Sequence, residues 1–156
     1  MNMYELNGEC RCRNVLVRVE LAREPSDYQP RVCDCDFCVG FGAAYLSDPE
    51  GSLTIHIMDA GATEQVRQGN EIADFLVCRT CGVLVAALHE DGGQSFGAVN
   101  AWVVGEPGTF GPELPVSPKK LAADEKTARW KRLWFPRVQV KAEAGRIGRP
   151  TGFPVY

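Results

Sequence analysis

Residues 63–82 read TEQVRQGNEIADFLVCRTCG, and this stretch decides the fold. Thr63 to Arg67 and Ile72 to Val77 are β-prone runs flanking Gly69 and Asn70, so a tight turn there pairs them antiparallel. The hairpin delivers Cys78 at its end. Cys78-Arg79-Thr80-Cys81-Gly82 is then a CxxC turn closed by glycine, a geometry that lets two thiolates reach one ion at about 2.3 Å each. A strand pair ending in such a knuckle supplies half of a tetrahedral metal site, and the other half must come from elsewhere in the chain.

Moving outward, the flanks are also built of short β-prone runs separated by Gly, Pro, Asp and Asn. On the N-terminal side, Val15 to Leu21 (VLVRVEL) alternates around Arg18 and Glu20, as a strand with one wet face does. Tyr45 to Ser47 and Ser52 to Met58 read as strands, with Asp48, Pro49, Glu50 and Gly51 turning between them. On the C-terminal side, Val83 to His89 and Phe96 to Val104 form a second hairpin through Glu90, Asp91, Gly92 and Gly93. Residues 105–118 are rich in Pro and Gly and read as a surface connection. Lys120 to Phe135 is the one convincing helical stretch, ended by Pro136, and the tail from Gly145 has no period of its own. The expectation is an all-β body with a short C-terminal helix, without internal repeats.

The chain has 156 residues, the size of one domain, with 45% apolar and 24% charged residues. A net charge of -3 and a pI near 5.4 create no general attraction for nucleic acid or anionic lipid. The opening MNMYELNGEC has neither a basic leader nor an apolar run, and no stretch approaches a membrane span. The expected compartment is the cytoplasm; homo-oligomerisation is left open.

All seven cysteines fall into short clusters: Cys10 and Cys12; Cys33, Cys35 and Cys38; Cys78 and Cys81. An odd number cannot be used up in paired disulfides, and a reducing compartment would keep them open, so metal ligation leads. Zinc is the leading metal for soft thiolates here, without haem or ferredoxin spacings, and iron is the alternative that the sequence leaves open. Cys10 and Cys12 lie on one side of an extended segment and could complete a four-thiolate site with Cys78 and Cys81. Cys33 and Cys35 would serve equally, so spacing alone leaves the pairing open. Whichever cysteines are left with three ligands make a site with a vacancy, and such vacancies belong to catalytic zinc.

The pattern resembles the glutathione-dependent formaldehyde-activating enzyme family, which shares its domain with centromere protein V. The resemblance rests on Gly8-Glu9-Cys10-Arg11-Cys12, on Cys33-Asp34-Cys35-Asp36-Phe37-Cys38 and on Cys78-Arg79-Thr80-Cys81-Gly82, with Ala98-Val99-Asn100 similar to the strand after the second knuckle. It covers roughly residues 5–105 and matches all seven cysteines. It implies a small zinc-knuckle, β-sandwich-like (Mss4-like) domain carrying two zinc ions. Cys10, Cys12, Cys78 and Cys81 would hold a structural ion, and Cys33, Cys35 and Cys38 a second, catalytic one. The implied activity is that of a carbon–sulfur lyase acting on a thiol adduct of a small aldehyde, of the S-hydroxymethylglutathione type. Glutathione carries two carboxylates and calls for cationic donors; Arg11, Arg13 and Arg79 flank the clusters.

Less specific residues have competing readings. Asp34, Asp36 or His56 could close the three-cysteine site as a fourth ligand, although Asp34 and Asp36 read more readily as solvent-facing and His56 and His89 as structural. In the helix, Leu121, Ala128, Trp130, Leu133 and Trp134 form an apolar stripe beside Lys126, Arg129, Lys131 and Arg132. Such a helix either docks its aromatics on the domain or grips nucleic acid, and the acidic pI favours docking. The alternatives to an enzyme are a zinc-stabilised binding module for protein or nucleic acid, and a redox sensor in which Cys33, Cys35 and Cys38 release zinc on oxidation.

Overall fold

A computed structural model describes residues 3–67, 73–117 and 120–142. The expected turn at Gly69 and Asn70, with Ile72, and the tail from Gly145 lie outside the described residues. The chain builds two sheets. The first has four strands in the order β1 (Tyr4–Glu9), β2 (Val15–Leu21), β5 (Ser52–Ile57) and β11 (Arg137–Ala142). The second has seven, in the order β10 (Leu114–Val116), β3 (Arg31–Cys33), β4 (Tyr45–Leu46), β9 (Gln94–Asn100), β8 (Leu84–Asp91), β7 (Asp74–Cys78) and β6 (Thr63–Arg67). Pairing is antiparallel except for β10 on β3 and β11 on β5. The mainly β domain with a short C-terminal helix is thus the fold that forms.

Alternation decides which side chains go inward. In β2, Val15, Val17, Val19 and Leu21 are buried while Arg18 between them is exposed; in β5, Leu53, Ile55 and Ile57 are buried. These meet Leu76, Val85 and Val99 of the larger sheet in one apolar cluster. Each such side chain contributes about 1.5–3 kcal/mol of burial. The sheets pack tightly at Gly97, where a Cβ would lie 3.0 Å from Leu53 and 3.3 Å from Val138 of the facing sheet. The opposite face of the seven-stranded sheet is covered too. There Tyr45, Ala87, Phe96 and Ala98 pack under Trp130 of the helix α3 (Ala123–Leu133) and its C-cap Trp134, together with Cys33 and Cys38.

The turn between β4 and β5 is organised by a buried carboxylate. Asp48, 2% exposed, accepts from Ala22 N at 2.9 Å, Tyr28 Oη at 2.5 Å and Glu50 N at 2.8 Å. Burial, and then the neighbouring Asp48, raises the Tyr28 pKa, so the phenol keeps the proton it donates. Removing the acceptor leaves a buried N–H and O–H unpaired. Asp48→Ala is expected to lower the unfolding free energy by about 3 kcal/mol, read as a fall in the urea midpoint at unchanged slope; an unchanged midpoint would contradict the network.

Several expected elements are corrected. The strand expected over Phe96 to Val104 ends at Asn100, whose side chain accepts from Trp102 N at 3.2 Å and starts the short helix α2 (Ala101–Val104). The second hairpin is tighter than read: its strands run to Asp91 and from Gln94, leaving Gly92 (φ 60°) and Gly93 (φ 82°) as a two-residue turn that glycine suits. The helix spans Ala123–Leu133 rather than Lys120 to Phe135, starting where Glu125 accepts from Ala122 N. Ala128, expected in its apolar stripe, is exposed, whereas Trp130 and Trp134 stack at 4.7 Å between ring centroids and are buried, so the helix docks. The connection 105–118 contains β10, and β1, β3 and β11 are strands beyond those expected.

Candidate metal centre

The seven cysteines are free thiols and gather in two groups. Cys10, Cys12, Cys78 and Cys81 bring their sulfurs within 4.8 Å of one another. The Cys10–Cys12 separation is 3.7 Å and the Cys12–Cys78 separation 3.4 Å. Four sulfurs placed tetrahedrally at about 2.3 Å from an ion lie about 3.8 Å apart, so the group has the dimensions of a closed site. Of the two pairings that spacing left open, the geometry joins Cys10 and Cys12 with Cys78 and Cys81.

Two turns of similar build create it. In the β1–β2 turn, Cys10 N donates to Val15 O at 3.0 Å and Arg13 N to Cys10 O at 2.9 Å. In the β7–β8 turn, Cys78 N donates to Val83 O at 2.9 Å and Gly82 N to Cys78 O at 2.8 Å. The residue after the second cysteine is left-handed in both: Arg13 at φ 69° and Gly82 at φ 76°. Glycine adopts that conformation without steric cost, and Arg13 is the sole non-glycine residue at positive φ among the described residues. Burial raises the pKa of Cys10 and pushes that of Cys78 up to about 12. Burial acts upward on Cys81 as well, but backbone N–H groups and the neighbouring thiols bring it down to about 6. A cation entering here must displace protons from buried thiols, which couples occupancy to pH.

Cys33, Cys35 and Cys38 form the second group, again within 4.8 Å of one another. Cys33 ends β3. Cys35 is the N-cap of the helix α1 (Asp36–Phe41), its sulfur accepting from Cys38 N at 3.4 Å, and Gly42 at φ 63° closes that helix. One helical turn therefore carries Cys38 back beside Cys35 and Cys33. Among the described residues no carboxylate or imidazole joins the group. Asp34 and Asp36 are exposed, with Ser117 Oγ hydrogen-bonded to Asp34, and His56 lies on the outer face of the four-stranded sheet. The fourth ligands considered for this group therefore stand elsewhere.

The surroundings of the three thiols were not legible from spacing. The Tyr45 hydroxyl is 3.1 Å from Cys38 Sγ, and burial, then its interaction with Cys38, raises the tyrosine pKa, so the phenol keeps a proton to donate. Cys38 in turn donates toward Cys33, which holds Cys33 down to about 6 against the opposing effect of burial. The arginines nearby are not those flanking the clusters in sequence. Arg11, Arg13 and Arg79 are exposed at the four-cysteine end, Arg13 3.5 Å from Glu9 and Arg79 3.9 Å from Glu64. Arg31 and Arg129, both half-buried, stand beside Cys33 instead. Burial, then Arg129, lowers the Arg31 pKa to about 10, which leaves it cationic at neutral pH. Its position two residues before Cys33 on a strand was the available signal; that of Arg129 was its place next to the docking Trp130.

Among the described residues, no helix is long and apolar enough to cross a membrane. No family model and no curated protein matches the chain. One solved structure is similar: the crystal structure of a Rhodobacter sphaeroides protein, 24% identical, with a TM-score of 0.51, covering 70% of this chain and 98% of that one. The likeness is one of fold.

Proposed function

We propose that the chain is a zinc-dependent carbon–sulfur lyase-like protein acting on a thiol adduct of a small aldehyde, with its reaction at Cys33, Cys35 and Cys38 and a structural zinc on Cys10, Cys12, Cys78 and Cys81. One observation carries the reading: three converging thiols have no fourth protein ligand among the described residues, whereas the other group has four. Donor chemistry supports zinc in both, since sulfur-only sets of this size suit it. In the three-cysteine centre a bound zinc would hold a substrate thiol as thiolate or polarise a carbonyl.

The chain's own part follows from the geometry. Cys33, Cys35 and Cys38 are the ligands. Tyr45 donates its hydroxyl hydrogen to Cys38 Sγ, orienting that ligand and moderating its charge. Phe37, against Phe75 at 5.0 Å, and the buried Trp130 limit water. The chemistry is redox-neutral: a thiolate sulfur forms the bond to the aldehyde carbon, the carbonyl π pair moves to oxygen, and that oxygen takes the proton the thiol gave up. The reverse breaks the same bond.

Zinc-loaded protein mixed with formaldehyde and glutathione is expected to form or exchange the adduct faster than the uncatalysed mixture, as followed by NMR exchange spectroscopy. No acceleration removes that substrate pair. The binding-module alternative loses its best surface, because both tryptophans of α3 are buried against the sheet.

A further inference from the structure

We propose that Arg31 and Arg129 form a carboxylate-binding subsite beside the three-cysteine centre, so that the centre selects thiols carrying a carboxylate a few bonds from sulfur. The proposal rests on reading Cys33, Cys35 and Cys38 as a centre that accepts a thiol, and it adds what else that thiol must carry.

Strand geometry places the first guanidinium. Arg31 and Cys33 are two apart in β3 and share a face, with Cα atoms about 6.6 Å apart. Across the sheet Arg31 stands opposite Tyr45, whose hydroxyl touches Cys38 Sγ, and Arg31 Nη2 donates to the buried Ser47 Oγ. Arg31 is therefore held on the same patch of sheet as the thiols. The second guanidinium is carried by α3. Arg129 precedes Trp130, which is buried in the same apolar cluster as Tyr45 and Cys33, and it interacts electrostatically with both Arg31 and Cys33.

Two half-buried cations near enough for one to disfavour the other's charge need an explanation. Desolvation and mutual repulsion both oppose the arrangement. Structural arginines in such positions are ordinarily paired with a carboxylate, yet among the described residues neither Arg31 nor Arg129 has one. Arg132 on the same helix adds a third positive charge. The missing anion is supplied by a ligand. Guanidinium forks match a carboxylate bidentately, and a thiol anchored at the centre would place a carboxylate two or three bonds away within their reach. Sulfur at the centre and carboxylate on the arginines make a two-point attachment, which fixes the orientation of the reacting sulfur.

The test uses three thiols of similar size titrated calorimetrically into the zinc-loaded full chain: 3-mercaptopropionate, 2-mercaptoethanol and cysteamine. The expected result is that 3-mercaptopropionate binds at least tenfold tighter than 2-mercaptoethanol and that cysteamine binds weakest. Arg129→Gln and Arg31→Gln should each erase most of that preference while leaving 2-mercaptoethanol unchanged; Arg31→Lys, which keeps a donor to Ser47 and the charge, should retain part of it. Zinc content and circular dichroism certify the fold of each variant. A second arm follows the arginine Nε–H resonances while propionate, which has no thiol, is added; Arg31 and Arg129 should shift. If 2-mercaptoethanol and 3-mercaptopropionate bind equally, or the preference survives both glutamine variants, the subsite is refuted while a thiol-accepting centre stands. If no thiol binds but propionate shifts both arginines, the anion subsite stands and the thiol reading falls. If neither thiol nor propionate registers, the subsite is refuted.

Discussion

Cys78→Ser is expected to yield no cooperatively folded protein. Cys78 is fully buried at the end of β7, in the apolar cluster shared by the two sheets, and Cys10, 1% exposed, reaches it from the β1–β2 turn. The four-cysteine group thus joins the first hairpin of one sheet to the central hairpin of the other. A structural zinc on four thiolates contributes roughly 10–16 kcal/mol of coupled folding. A domain of this size has a total stability of about 5–15 kcal/mol. The loss of one ligand therefore removes a contribution as large as everything that keeps the chain folded. The expected readout is loss of amide dispersion in NMR and a non-cooperative thermal trace, reproduced in the unaltered chain by excess chelator. A Cys78→Ser protein that melts cooperatively would show that the group is not a structural centre.

Cys35→Ser is expected to behave in the opposite way: one zinc lost, the fold retained, and catalysis reduced at least about a hundredfold, the scale on which metal-site disruption is felt. The reason lies in the double role of Cys35, whose sulfur is both a candidate ligand and the N-cap acceptor for Cys38 N. Serine is a better N-cap than cysteine, so α1 keeps its start. It is a much poorer partner for a soft cation. Metal analysis should fall from two ions to one while the melting temperature moves by a few degrees, the effect of about 1 kcal/mol in a domain of this size. If Cys35→Ser unfolds the chain, the second centre is structural and the lyase reading loses its active site.

How much of this was legible beforehand depended on where the information resides. Val15 to Leu21 announced both its ends and its faces, because one side must be apolar and the other wet. The knuckle at Cys78 and Cys81 is purely local and was equally plain. β3, with three residues, and β10, which contains Pro115, are too short to carry a period and owe their existence to strand pairing, β10 on β3 and β3 between β10 and β4. β1 is polar, largely exposed and an edge strand, so burial leaves little mark on its sequence. β11 does carry the alternation, in Val138 and Val140 between Arg137, Gln139 and Lys141, and stood hidden behind a helix and a proline. The four-and-three division of cysteines needed tertiary structure or family resemblance, since either pairing fits the spacing. Arg31 and Arg129 were illegible as a pair, being on elements that only packing brings together.

The parallel addition of β10 to β3 and of β11 to β5 also sets an order of assembly. Val116 pairs with Cys33 and Val140 with Ile55, so each parallel pairing closes a long loop and must wait for late chain segments. During synthesis the cysteines from Cys10 to Cys81 emerge well before β10, α3 and β11. The four-cysteine group can gather from hairpins alone, whereas the three-cysteine group stays uncovered until the last part of the chain arrives. For some interval in the life of every molecule, three thiols stand open to oxidants and foreign cations, and the helix that later covers them is the last barrier to form.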